Sequence, residues 1–355
     1  MRNMLIALFF LYFIAPAHAA NDLDTLRQAL QTSVEKTNTA LNDVRNACMG
    51  IYDELNSAQT LTKIGTGASV LGTLSSAVAT GTGIAKNKQD SIALNATPYD
   101  SEWKLWATQS RPGTDNEQIE ITDEDIKKVM AQTVAMDTQW SDEYLQEFRQ
   151  NTDAGKRGKT LGDVRTGTLA TGAAANIAGA TAAGIEKSKT TKTLSQKIEQ
   201  CMDTVEILNR TLLQTKLDKS AYAKALGAVK GADKNDAEKI ITQQYMLHLD
   251  KIVLICSQWD TNDAVQADKN ATGALTSNIV GTSTGIAGTV TAAMANSDAM
   301  HLSGDKKEKQ LNTTANLLAG GTTIASAIAT IYNTVQANVI KRMSTIASQC
   351  QEALK

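Results

Sequence analysis

Proline is scarce: Pro16, Pro98 and Pro112 are the only three in 355 residues, so nearly every position keeps the backbone N–H that a continuing helix needs. Histidine is as rare. His248 and His301, the two beyond the N-terminal segment, have no ligand spacing, which excludes a histidine-based metal centre. His248 adjoins a helical seam and reads as a helix-surface residue. No C-x-x-C occurs among the four cysteines, so the dithiol redox motif is absent. The formal net charge of -2 offers no basic excess for nucleic acid. Gly155-Lys-Arg-Gly-Lys-Thr160 ends like a phosphate loop, but Asp153 stands where its first glycine belongs and no strand precedes it; it reads as a basic linker. Gly65-Thr-Gly67 and Gly81-Thr-Gly83 lack the third glycine of a dinucleotide site. No residue set points to catalysis, a cofactor, a metal or a small-molecule substrate, and the chain is expected not to be an enzyme.

Charge is missing in a pattern. No Asp, Glu, Lys or Arg occurs in Ile64–Ala85, Thr166–Ile185, Asn270–Ser297 or Leu311–Ile340. The runs follow Cys48, precede Cys201, follow Cys256 and precede Cys350, and the zone they share lies 16 to 35 residues from the nearest cysteine. As helix, a zone of that depth is roughly 30 Å tall, the thickness of a bilayer's hydrocarbon core.

What is present begins with an address. Arg2, the apolar run Met4–Ile14 and Ala-Pro-Ala-His-Ala-Ala at 15–20 form a secretory signal peptide over residues 1–20, cleaved after Ala19 or Ala20. The apolar run is about half the length of a membrane span. The expected location is periplasmic or secreted, with cell-envelope association as a variant. An exported chain with four cysteines pairs them.

Around each cysteine apolar residues recur at steps of three and four, the period of a helical seam. Leu30, Val34, Leu41, Val44, Cys48, Ile51 and Leu55 form the first seam, and Leu194, Ile198, Cys201, Val205, Leu208 and Leu212 the second. The third is Tyr245, Leu249, Ile252, Cys256 and Trp259; the fourth is Val339, Met343, Ile346, Cys350 and Ala353. The spacing predicts helices over 22–88, 158–229, 235–296 and 308–354. The expected fold is all-α: an elongated antiparallel four-helix bundle of two long, duplicated helical hairpins, with a small helical insert at the tip of the first. The bundle takes residues 21–88 and 158–355, and the aromatic-rich insert 89–157. Neighbouring helices pair Cys48 with Cys201 and Cys256 with Cys350; Cys48 with Cys350 and Cys201 with Cys256 is the other adjacent solution.

The uncharged runs are rich in Ala, Gly, Ser and Thr, punctuated by Ile, Val and Leu. Small residues three or four apart let helices approach closely, as they do in membranes. Against lipid stand the hydroxyl and amide side chains, with Asn278, Asn312, Asn316 and Asn333 awkward on a lipid face. The plainer reading is a bundle with small residues in its core and Ser and Thr facing water.

In the insert, Tyr99, Trp103 and Trp106 share one helical face, and Trp140, Tyr144 and Phe148 another. Two such stripes suit a small core. Trp103, Trp106, Trp140 and Tyr144 are also the candidate partner contacts, because Trp and Tyr dominate interface hot spots. The expectation is an exported scaffold or adhesin-like rod that presents this module to a protein partner or to further copies of itself. The alternative is a membrane-inserting or pore-forming protein acting through the uncharged hairpins.

Overall fold

The computed structural model describes residues 19–96, 98 and 141–355. Among the described residues there are eight helices and no strand: α1 Ala19–Cys48, α2 Ile51–Leu94, α3 Asp142–Asn151, α4 Asp153–Ala228, α5 Asp236–Ile240, α6 Gln243–Cys256, α7 Thr261–Ala295 and α8 Lys306–Leu354. They pack as an all-α bundle.

The helix breaks differ from the sequence expectation in three places. The first predicted helix is two, parted at Met49 and Gly50; Met49 N–H closes the last turn of α1 on Arg45 O at 3.1 Å, and α2 restarts with Asp53 and Glu54 in its first turn. Negative charge there suits the helix dipole. The third predicted helix is interrupted twice. Ile241 is extended and Thr242 caps α6, its Oγ1 accepting from Tyr245 N–H at 3.1 Å. The chain then leaves the helix over Ser257–Asp260, so buried Trp259 reaches the core from a loop rather than from a helical seam. Conversely, the stretch 155–160 expected as a basic linker is helix: Thr152 Oγ1 accepts from Gly155 N–H at 3.0 Å and starts α4 at once.

The chain forms two compact units. Unit 1 comprises the described residues of Met1–Thr60, together with Ser188–Asp268 and Asn338–Lys355; unit 2 comprises those of Leu61–Lys187, together with Lys269–Ala337. Helices α2, α4, α7 and α8 each supply residues to both.

Unit 1 has an apolar core on the predicted seams, except that on α8 Ala347 and Leu354 are buried in place of the predicted Ile346 and Ala353, and Ile340 joins Val339. Leu30, Val44, Ile51, Leu55, Ile198, Leu208, Leu212, Leu249, Ile252 and Ile340 are fully buried in it. Burying a side chain of this size is worth about 1.5–3 kcal/mol. Met246, one residue along from the predicted Tyr245, takes the inward place on α6. Cys48 is bonded to Cys201 and Cys256 to Cys350, each pair with Cα atoms 5.0 Å apart. No described cysteine is free. Two such bonds belong to a chain that matures in an oxidising, extracellular environment. Polar contacts finish the unit: Thr37 and Thr215 hydroxyls meet at 2.8 Å, Arg45 Nε donates to Leu354 O at 3.0 Å, and Tyr222 Oη donates to Asp236 at 2.6 Å.

Candidate functional site

Unit 2 keeps the helical seam but inverts its chemistry. Continued from Cys48 in steps of three and four, the seam passes Ile51, Leu55 and Ala58 and then Thr62, Gly65, Ser69, Gly72, Ser76, Ala79, Gly83, Lys86 and Asp90, all buried. On α4 the inward residues include Arg165, Gly172, Asn176, Gly179 and Glu186; on α7 they include Asn278, Gly281, Gly285 and Gly288; on α8, Asn312, Thr322, Ser326, Asn333 and Gln336. Outward point the large apolar side chains. Leu71, Leu74, Ile84, Ile286, Leu317, Ile324 and Ile331 are each half or more exposed, Leu317 at 72%. A water-facing bundle has the opposite arrangement.

The asparagines expected to be awkward on an outer face are instead interior: Asn278, Asn312 and Asn333 are buried, and Asn316 is half-buried. Glycines make room for them. A Cβ on Gly83 would stand 2.0 Å from Asn316 Oδ1, on Gly162 2.0 Å from Asn296 Oδ1, on Gly179 2.9 Å from Asn278 and on Gly281 2.7 Å from Asn176. The glycines' helix-propensity penalty, about 1 kcal/mol each, is thus the cost of seating an amide on the neighbouring helix. Many of the exposed hydroxyls do not depend on water either. Thr171, Thr181 and Ser283, all exposed, donate to the carbonyls of Gly167, Ile177 and Ile279 four residues back, at 2.9, 2.9 and 3.0 Å. Back-bonding of this kind satisfies a hydroxyl in any solvent.

Polar contacts link the four helices. Ser69 Oγ donates to Asn278 Oδ1 at 3.2 Å and accepts from Asn333 Nδ2 at 3.1 Å, while Ser326 Oγ donates to Asn176 Oδ1 at 3.0 Å. Beyond one edge of the uncharged runs, Glu186 accepts from Thr62 Oγ1 at 2.9 Å and Gln336 Nε2 at 2.7 Å. Beyond the other edge, Asp90 pairs with Lys86 and stands 3.2 Å from His301 Nε2, with all three side chains buried. Arg165, also buried, donates to Asn312 Oδ1 and O at 3.3 Å each. The His301 carbonyl is held by α3, accepting from Gln146 Nε2 at 3.0 Å and Gln150 Nε2 at 2.7 Å. On the nearby surface Lys159 pairs with Asp298, a hydrogen bond that raises the lysine's pKa and lowers the aspartate's. Among the described residues no three His, Cys, Asp or Glu side chains form a metal-binding group.

The residues singled out from sequence are dispersed. The four cysteines lie together in the unit 1 core. Trp103, Trp106 and Trp140 lie outside the described residues. Tyr144 sits in the first turn of α3, 42% exposed, its N–H donating to the Ser141 cap at 3.2 Å. Sequence reading missed the buried charges Lys86, Asp90, Arg165 and Glu186 and the polar seam. The available signal was the register itself: stepping from Cys48 by threes and fours lands on Ser69, Lys86 and Asp90. No family model matches the chain, and no curated protein or solved structure is similar to it.

Proposed function

We propose that the chain is an exported membrane-inserting protein whose unit 2 enters a lipid bilayer, while unit 1 is the disulfide-braced part that stays in water. The inverted polarity of unit 2 carries this reading. Large apolar side chains point outward over runs that hold no charge, and most of the amides and hydroxyls point inward or bond to their own helices. Two helices are long and apolar enough to span a bilayer, and among the described residues only 33% of each apolar window is buried. In this reading α2 with α4 and α7 with α8 are two antiparallel hairpins, inserted together as a four-helix bundle. Buried charges at the edges of such a layer are costly and mark function more often than fold. The runner-up is a scaffold or adhesin-like role in which outer faces of this kind meet other copies or a protein partner, with residues 89–157 as the recognition module.

Flotation of the oxidised mature protein with phospholipid vesicles tests the reading. Wild type is expected to rise with the vesicles. Leu71→Lys combined with Leu74→Lys should abolish this, because each lysine at the layer's centre costs about 2.5–3.5 kcal/mol of insertion. Wild type that stays at the bottom of the gradient with every lipid composition, or assembles only with itself, would end the proposal.

A further inference from the structure

We infer that Glu186 and Gln336 form a proton-binding site, and that its protonated form is the one unit 2 favours in a bilayer. The inference rests on the reading of unit 2 as membrane-inserted and goes beyond it by naming what regulates insertion. Its basis is a carboxyl–amide contact in which one of two hydrogen bonds is made. Gln336 Nε2 donates to Glu186 Oε1 at 2.7 Å, while Gln336 Oε1 is enclosed without a hydrogen-bond partner. Glu186 is 2% exposed and Gln336 1%, so bulk water does not serve that oxygen.

A carboxylate only accepts hydrogen bonds, whereas a primary amide both donates and accepts. The ionised form of Glu186 therefore has nothing to offer the amide oxygen. A proton taken from the aqueous phase onto Glu186 Oε2 supplies the missing donor. The acid O–H can then bond Gln336 Oε1 while Gln336 Nε2 keeps its bond to Glu186 Oε1, and the carboxyl ends neutral.

The surroundings favour that form. Thr62 on α2 and Gln336 on α8 are the side chains that bond Glu186, and both are neutral. Charges along the packed helices lie to the side: Lys63 on α2, Lys269 on α7 and Lys341 on α8 are exposed, and Asp268 on α7 and Lys187 on α4 are half-buried. Burial raises the pKa of Glu186 above the ordinary 4.5, outweighing its two hydrogen bonds, and no described charge contributes. The other buried carboxylates described in unit 2 have donors that hold them ionised. Asp90 pairs with Lys86, and Glu308 accepts from the N–H groups of Leu302 and Gly304. Position links the proton to lipid. Glu186 stands one residue outside the uncharged run of α4, at the border where hydrocarbon would replace water around the bundle. A charge there becomes more costly on insertion, so proton uptake and insertion favour each other by the same factor.

The test measures partition of the oxidised mature chain into phosphatidylcholine vesicles by flotation, from neutral pH down to about 4.5, for wild type and Glu186→Gln. Glutamine has the shape of the neutral acid and can donate to Gln336 Oε1 at every pH. Its partition is expected to exceed that of wild type at neutral pH. Wild-type partition should rise by up to about tenfold per unit as pH falls, one proton being bound, until the two converge. In infrared difference spectra of the vesicle-bound protein, acidification should bring up a protonated-carboxyl band that Glu186→Gln lacks and that Gln336→Leu moves to higher frequency. A ratio of the two partitions that is the same at every pH, or a band unmoved by Gln336→Leu, overturns the inference and leaves membrane insertion standing. Wild type that floats at no pH, with these or with anionic vesicles, removes both.

Discussion

Replacing Gly162 by alanine probes the packing rule of unit 2 most sharply. The new Cβ would stand 2.0 Å from Asn296 Oδ1 and 2.3 Å from its Cγ. Asn296 cannot swing aside freely, because its Nδ2 donates to Lys159 O at 3.1 Å and to Asp163 Oδ1 at 2.7 Å. Relief of the clash therefore means helix displacement, about 1–3 kcal/mol for one inserted methyl, or loss of those two bonds at about 1 kcal/mol each. The helix propensity of alanine returns about 1 kcal/mol. The net expectation is a destabilisation of up to about 2 kcal/mol. Gly167→Ala on the same helix is the control: Gly167 is exposed, and its Cβ would meet nothing within 4 Å, so only the propensity gain remains and the protein should be stabilised by about 1 kcal/mol. The assay is equilibrium urea unfolding of each oxidised variant, followed by circular dichroism. Equal shifts of the two midpoints in one direction would refute the seating of asparagines over glycines.

Three further outcomes follow from the structure. Closing chain segments of 153 and 94 residues, the disulfides Cys48–Cys201 and Cys256–Cys350 should each contribute up to about 5 kcal/mol, so a reductant should lower the unfolding midpoint steeply; an unchanged midpoint would deny that they brace the core. Asp90→Asn strips the partner from buried Lys86 and should cost about 3–5 kcal/mol by calorimetry, with Asp298→Asn on the exposed Lys159 pair leaving stability nearly unchanged as comparison. Burial, and then the hydrogen bond to Asp236, push the Tyr222 phenol up to about 12 from 10.0. Because the folded value is the higher one, the stabilisation by neutral Tyr222 is complete below pH 10.0 and is lost as pH rises toward about 12, which ultraviolet titration of wild type against Tyr222→Phe reads directly.

The unit 1 core was legible in the sequence because its seam residues are mostly apolar and most of its polar residues are outside, so period and burial agree, with Thr37 and Thr215 the buried exceptions that bond each other. Leu30, Val44, Ile198, Leu208 and Ile252 all fall where the three-and-four spacing puts them. The same seams narrowed the disulfides to two adjacent-helix pairings, and the first of them, Cys48–Cys201 with Cys256–Cys350, is the one formed. In unit 2 the period still gives which residues share a face, but it does not say which face is inside. Taking Ser and Thr as water-facing turned the helices the wrong way: Ser69, Ser76, Thr322 and Ser326 are buried, and Ile279, Val280 and Ile286 are exposed. The heptad register inherited from the cysteines carries the correction. The breaks at Met49–Gly50 and Ser257–Asp260 were not legible, because the seam continues across both, with Cys48 leading to Ile51 and Cys256 to Trp259. The charged pair Lys86–Asp90 was hidden by its i, i+4 spacing, which more often marks a solvated helix face.

The central claim is that the outward apolar face of unit 2 meets lipid, and Leu317, at 72% the most exposed of these side chains, is the place to ask. The measurement is the fluorescence of L317W over wild type in vesicles whose acyl chains carry bromine. A blue-shifted added signal quenched by the brominated chains is the result the account predicts. An added signal with the spectrum of water-exposed indole, indifferent to bromine while the protein is bound to the vesicles, would contradict it.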